Sequence, residues 1–196
     1  LHDALPICDV FVFPKQSLLW KTILKFNLSR AKLILSTSHA MKKECAKYTH
    51  KSIEVTPFGI DTEKFKPFVP RDPIFDKGTV VIGCIKMLEK VAGVDILIHA
   101  FSLLLKNTTD SKTYKLLIVG GGSQYTALKE LCLSLNIGSH VHFTGFIDPE
   151  EVPNYHNMMT IEVYPSRHES FGVSILEAMA CGKAVIVSDV EGLPEI

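Results

Sequence analysis

The sequence lacks net charge, with 21 acidic residues against 21 basic ones. That balance excludes a general electrostatic pull toward nucleic acid. No apolar run approaches the roughly 18–20 residues that cross a bilayer as a helix. Cysteine pairs are also missing. Cys8, Cys45, Cys84, Cys132 and Cys181 are odd in number, widely scattered, and never spaced as CxxC. Zinc ribbons and dithiol redox motifs are thereby excluded, which leaves small buried hydrophobes of a reduced, cytoplasmic compartment. No aspartate-rich stretch suggests a metal site. An initiator Met and a signal peptide are absent as well. "LHDALPI" matches the translation of a common sequencing-library adapter, so residues 1–7 are expected to be an artefact, with a native loop or strand as the alternative. What is present is an ordinary globular balance: 196 residues, 46% of them hydrophobic, enough for one large domain or two small ones.

Hydrophobic periodicity predicts alternating strands and helices. A helix is expected over 15–31, a strand over 32–38 with Ser38 capping the next helix, and over 52–67 a strand followed by a turn at Gly59. Three prolines in 67–77 predict a linker between domains. Beyond it the rhythm is regular. Strands are expected at 79–85, 115–121, 140–146, 160–166 and 183–189. Helices are expected at 93–107, 123–138, 148–158 and 171–182. The first of these carries Val94, Leu97, Ile98, Phe101 and Leu104 on one face; the second is closed by Gly138 and the last by Gly182. Such alternation specifies an α/β fold with a parallel sheet covered by helices on both faces.

In an open parallel sheet, ligands bind beyond the carboxyl ends of the strands. Four such ends carry distinctive residues. In "GCIKMLEK", Gly83 permits close backbone approach, and Lys86 and Lys90 suit a diphosphate, or else are lysines of a solvated loop. "VGGGSQYTALKE" offers Gly120 and Gly121 at a strand-to-helix turn that could seat a nucleotide or simply be tight; it matches neither G-x-G-x-x-G nor a Walker A loop. In "FTGFIDPEE", Phe146 and Ile147 could flank a planar base, or Asp148-Pro149 could merely start a helix. In "RHESFGVSILEAMACG", Glu169 precedes Ser170-Phe171-Gly172-Val173, and Glu177 follows about two turns into a helix. At ~1.5 Å per residue the carboxylates lie on the order of 10 Å apart along the helix, which suits two ends of an extended ligand. A helix start between them suits negative charge.

"ESFGVSILEAMACG" with "VIVSDVEGLPEI" resembles the donor-site signature of retaining, family 4-type glycosyltransferases (glycosyl transferases group 1), whose E-x7-E element matches Glu169 and Glu177. "TPFGIDTEKFKP" and "HVHFTGFIDPEEVPNYH" stand at the family's places in the same order. The resemblance implies a GT-B fold: two Rossmann-like domains with donor and acceptor sides. Residues 8–66 would be the tail of the N-terminal, acceptor-side domain, and 78–196 most of the C-terminal, nucleotide-sugar-binding domain. It implies that Glu177 binds the donor ribose and Glu169 the transferred sugar. Amides near Phe171, Gly172 and Val173 would contact sugar and phosphate, and Lys86 would neutralise phosphate. The family's second lysine falls at Val91; here the lysine is one residue early, at Lys90. "CDV" (8–10) would be the remnant of an HGxD-type element.

The activity so implied is retaining sugar transfer from a nucleotide-diphosphate sugar to an acceptor hydroxyl, without cofactor or metal, in cell-surface polysaccharide or glycolipid synthesis. The partners implied are a nucleotide sugar and a saccharide or lipid-linked acceptor. A non-catalytic nucleotide-sugar-binding module is the alternative, most of the acceptor domain being absent. A glycosidase would instead need two carboxylates flanking one bond. The basic helix 15–32 would either pack its apolar face inside its domain or lie on an anionic inner membrane surface.

Overall fold

The computed structural model describes residues 9–196; the expected artefact at 1–7 and Cys8 lie outside the described residues. The chain divides into two compact units. One comprises the chain through Gly59 with His168–Gly172 and Asp189–Ile196; the other comprises Ile60–Arg167 and Val173–Ser188.

In the first unit, helix α1 (Asp9–Gln16) ends at Ser17, whose extended backbone and hydroxyl start a second helix, α2 (Leu18–Arg30), by accepting from the Trp20 amide. The single helix expected over 15–31 is therefore two. α2 has no fully buried residue, and of its apolar side chains Leu28 packs partly buried against the core of this unit, less than the inside packing offered as one expectation. At 3.6 residues per turn, Leu18, Leu19, Trp20, Ile23, Leu24 and Leu28 fall on all sides of the axis, so no single apolar stripe exists to bury. Strands β1 (Ile34–Ser36) and β2 (Ile53–Val55) pair in parallel, Ile34 opposite Ile53. Helix α3 (His39–Cys45) lies between them in sequence and starts at Ser38, which accepts from the Met41 amide as the sequence suggests. Phe11, Ile34, Met41, Cys45 and Ile53 form the core.

The second unit is built on five parallel strands: β3 (Val80–Ile85), β4 (Tyr114–Val119), β5 (Val141–Gly145), β6 (Ile161–Tyr164) and β7 (Ala184–Val187). Their spatial order is β5-β4-β3-β6-β7. Relabelled from the first strand this is 3-2-1-4-5, the doubly wound order, whose direction reverses between β3 and β6. The connections carry α4 (Val94–Asn107), α5 (Tyr125–Ser134), α6 (Val152–Met158) and α7 (Val173–Ala180). Val94, Leu97, Ile98 and Phe101 of α4 are buried, four of the five residues placed on that face from sequence. Leu116 to Val119 of β4 are fully buried, as a central strand covered on both faces requires.

Three local expectations change. α5 is closed by Asn136, not Gly138. Asn136 holds φ 57, its amide reaches the Leu133 carbonyl, and the Ile137 amide reaches Cys132. This is a Schellman closure with asparagine in the left-handed position, and Gly138 opens a short 3-10 turn instead. The helix expected from 148 begins only at Val152; Asp148 instead accepts from the Glu150 amide in a turn. The proline-rich 67–77 stretch is anchored to α6. Asn157 accepts from the Phe68 amide and donates to the Lys66 carbonyl, and Asn154 does the same for the amide and carbonyl of Arg71. The unit accordingly begins at Ile60.

Candidate functional site

The reversal of strand order puts the crevice beyond the carboxyl ends of β3 and β6. Lys86 directly follows β3, half-buried, with its amide bonded to the Val119 carbonyl at the end of β4. The loop then turns into the glycine run after β4. Gly120 takes φ 125, where a Cβ would meet the Lys86 carbonyl oxygen, and its amide donates to the Gly145 carbonyl at the end of β5. Gly121 accepts from the Leu88 amide, and a Cβ there would sit 2.6 Å from the Phe146 ring. The glycines thus let three strand-end loops stack backbone on backbone. Lys86, Gly120, Gly121 and Phe146 come together in this way.

Phe146 is 74% exposed beside that turn, placed to offer a ring face. Ile147 is not its counterpart: it packs on the core of Val81, Ile85, Leu117, Val119 and Met159, so the two cannot flank one base. Gly83 also has another explanation. It lies buried inside β3 and pairs with Glu162; Met159 Sδ and the Leu117 carbonyl fill the space a side chain would need. Close approach there is sheet packing, not a ligand. Lys90 opens a 3-10 turn (Lys90–Ala92) and lines a groove of about 340 Å³ with Asp95, His99, Gln124 and Leu128.

The Lys90 turn is fixed by Arg167, which sequence reasoning did not single out. Its guanidinium grips Asp95 at 2.8 and 2.6 Å and also donates to the Lys90 carbonyl at 2.8 Å. The bond to Arg167 holds the Asp95 carboxyl below the usual carboxylate range. Glu89 was likewise passed over. It accepts from the Ser123 amide and hydroxyl just after the glycine run, bonds that lower its own pKa.

α7 carries Val173 at its first position and Glu177 in its second turn. It is closed by Gly182 at φ 72, whose amide reaches Met179 while the Lys183 amide reaches Ala178, the closure the sequence predicts. Glu177 is only 17% exposed, 3.5 Å from the ring of the fully buried His156. His156 Nδ1 lies 2.8 Å from Glu162 Oε1, and the Tyr164 hydroxyl donates to Glu162 Oε2 at 2.6 Å and to the Ser174 carbonyl at 3.2 Å. The sequence did carry a signal for this network. Glu162 stands in "IEVY", inside a strand that parallel-sheet burial makes apolar, where a carboxylate needs a partner.

The remaining candidates, Glu169 to Gly172, belong to the first unit. There the Glu169 amide donates to Glu191 Oε2 at 2.8 Å, and His168 Nδ1 lies 2.7 Å from Glu191 Oε1. Phe171 is buried edge-on against Phe58, with ring centroids 5.5 Å apart. Ser170 is buried, and its hydroxyl has no hydrogen-bond partner among the described residues. Gly172 takes φ 91. Glu195 accepts from the His39 and Ala40 amides at 2.7 Å each, capping α3 together with Ser38. Neither Glu191 nor Glu195 was singled out from sequence. Among the described residues, no group of three or more His, Cys, Asp or Glu could hold a metal ion.

Solved proteins with this backbone are glycosyltransferases of the GT-B fold. The chain is similar to HepE from Anabaena, solved with UDP and glucose, at a TM-score of 0.76 and 21% identity over 93% of this chain and 52% of that one. Its TM-score to sucrose-phosphate synthase from Thermosynechococcus elongatus is 0.75, at 25% identity over 92% of this chain and 46% of that one. Residues 65–196 match the family described as Glycosyl transferases group 1, and the chain belongs to that family. One curated relative is the GDP-mannose-dependent alpha-(1-6)-phosphatidylinositol monomannoside mannosyltransferase of Mycolicibacterium smegmatis, 33% identical over 74% of this chain and 40% of the relative. Another is the D-inositol 3-phosphate glycosyltransferase of Acidothermus cellulolyticus, 31% identical over 72% of this chain and 34% of the relative. The chain thus spans well under half of each curated relative.

Proposed function

We propose that the complete protein transfers a sugar from a nucleotide-diphosphate sugar to an acceptor hydroxyl with retention of configuration, and that the second unit binds the donor. The observation that supports this most is the convergence of Lys86, Gly120, Gly121 and Phe146 at the reversal of strand order, where doubly wound sheets hold nucleotides. In this reading Phe146 stacks on the base, and Glu177 accepts from the ribose hydroxyls. Lys86 and the start of α7 at Val173 face the diphosphate. Lys90, one residue from the family's usual position, is the weaker phosphate ligand.

As the glycosidic bond breaks, negative charge grows on the leaving diphosphate and positive character on the sugar. Catalysis then rests on stabilising the diphosphate. This needs cations and amide dipoles, which Lys86 and the helix start supply, and no metal ion or cofactor. The acceptor is a saccharide or lipid-linked sugar of the cell surface, met in the cytoplasm or at the inner membrane face; no helix among the described residues is long and apolar enough to cross a membrane.

The test is calorimetric titration of UDP- and GDP-sugars into full-length protein. Binding is expected for one of them and is expected to weaken about tenfold or more in Glu177→Ala; unchanged affinity would remove the ribose assignment. Lys86→Ala is expected to lower kcat by roughly two to three powers of ten, read as transfer or donor hydrolysis.

A further inference from the structure

The ribose carboxylate does not stand alone. His156 is wholly buried between two acids, with Nδ1 2.8 Å from Glu162 Oε1 and Nε2 3.5 Å from Glu177 Oε2. Both ring nitrogens face carboxylate oxygens. An imidazole can donate from both only when it is protonated. Glu162 is itself wholly buried and is held on its other oxygen by Tyr164. The ring is further fixed edge-on by Phe65, with centroids 6.0 Å apart.

We propose that His156 is a positioning residue: as an imidazolium anchored by Glu162, it fixes the Glu177 carboxylate for the donor ribose and makes donor affinity fall as pH rises. The proposal rests on the ribose assignment of Glu177. Burial by itself would hold His156 neutral, but the bonds to Glu162 and Glu177 and their charges outweigh it, so its pKa stands above the ordinary value. The charged form therefore prevails below that raised pKa, and its hold on Glu177 is lost as pH rises through it. The other groups around Glu162 do not reproduce this. Burial pushes the Cys84 thiol up to about 12 and the Cys181 thiol to about 11, and holds Tyr164 well above its usual value. Lys183, whose pKa burial lowers, donates to the Asn157 carbonyl.

Ribose lies away from the reacting bond, so a loose Glu177 weakens ground state and transition state alike. The effect belongs in the donor KM rather than in kcat. The experiment measures donor KM and kcat against pH for the full-length protein, with UDP-glucose and GDP-mannose as probes. In the wild type, KM for the accepted donor is expected to rise on an alkaline limb. Glu162→Gln should move that limb to lower pH. His156→Gln should abolish it and raise KM about tenfold with kcat changed less than about threefold. Lys183→Met should leave the limb in place. A limb absent from the wild type, unmoved in Glu162→Gln, or lost in Lys183→Met overturns the proposal, even where Glu177→Ala still weakens donor binding. Unchanged donor binding in Glu177→Ala overturns the ribose assignment and the proposal with it, as does failure to bind any nucleotide sugar. Should a variant not fold, wild-type protein suffices: NMR titration of the His156 ring must show its pKa raised by saturating UDP or GDP, as linkage requires. An unchanged or lowered value overturns the proposal.

Discussion

Gly93 precedes α4 at φ 68, and a side chain there would collide with the Pro165 carbonyl that follows β6. Two penalties add. The left-handed backbone costs an L-residue about 1–2 kcal/mol, and the carbonyl, being backbone, yields little. Gly59 has open space around it and no such φ. Gly93→Ala is therefore expected to lower stability, read by urea unfolding, by more than ~2 kcal/mol. Gly59→Ala should change it by less than about 1 kcal/mol in the stabilising direction, through the unfolded chain. Equal losses for the two would mean that the Pro165 contact is not what selects glycine at 93. At the same scale, the placement of Lys86 after a strand and of Glu177 within a helix was readable from periodicity. Arg167, Glu89 and His156 were not, because their partners lie 72, 34 and 6 residues away. Spacing along the chain cannot show which of two distant polar residues will face each other.

Elements were legible where one period dominated. Since a parallel sheet demands uninterrupted apolar runs, four of the five strands of the second unit lie within the expected spans, and β4 starts one residue early, at Tyr114. α4 followed its predicted face because its apolar residues share one side. α2 did not, because its apolar residues surround it, and Ser17 cut the expected helix where hydroxyl capping outweighed continuity of pattern. The end of α5 was misjudged for a related reason. Glycine is the usual signal of a helix stop, yet the left-handed residue is Asn136, two positions earlier. Asparagine tolerates that conformation at some cost, so Asn136→Gly is expected to raise stability by up to ~1 kcal/mol and Asn136→Ala to lower it by about as much. Thermal unfolding of both variants checks this. A gain from Gly138→Ala as large as that from Asn136→Gly would show that the stop is not set at Asn136.

For the molecule as a whole, composition and rhythm indicated two units and an α/β fold, but not where the second unit begins. Prolines at 67, 70 and 73 read as an untethered linker because backbone stiffness and missing donors are all that a sequence shows of them. Asn154 and Asn157, nearly ninety positions on, hold that stretch through four hydrogen bonds to its backbone. Both asparagines are buried on α6, so each bond excludes water as well as fixing a strand of chain. Asn157→Ala should leave the Phe68 amide and Lys66 carbonyl without partners. At about 1 kcal/mol per bond, amide exchange at Phe68 is expected to quicken about five- to tenfold. Asn154→Ala should do the same at Arg71 and speed tryptic cleavage after it. Each substitution should act mainly on its own contact, since the two pairs of bonds share no acceptor. If exchange and cleavage stay at wild-type rates in both variants, the stretch is a linker after all, and the second unit begins where its first strand does.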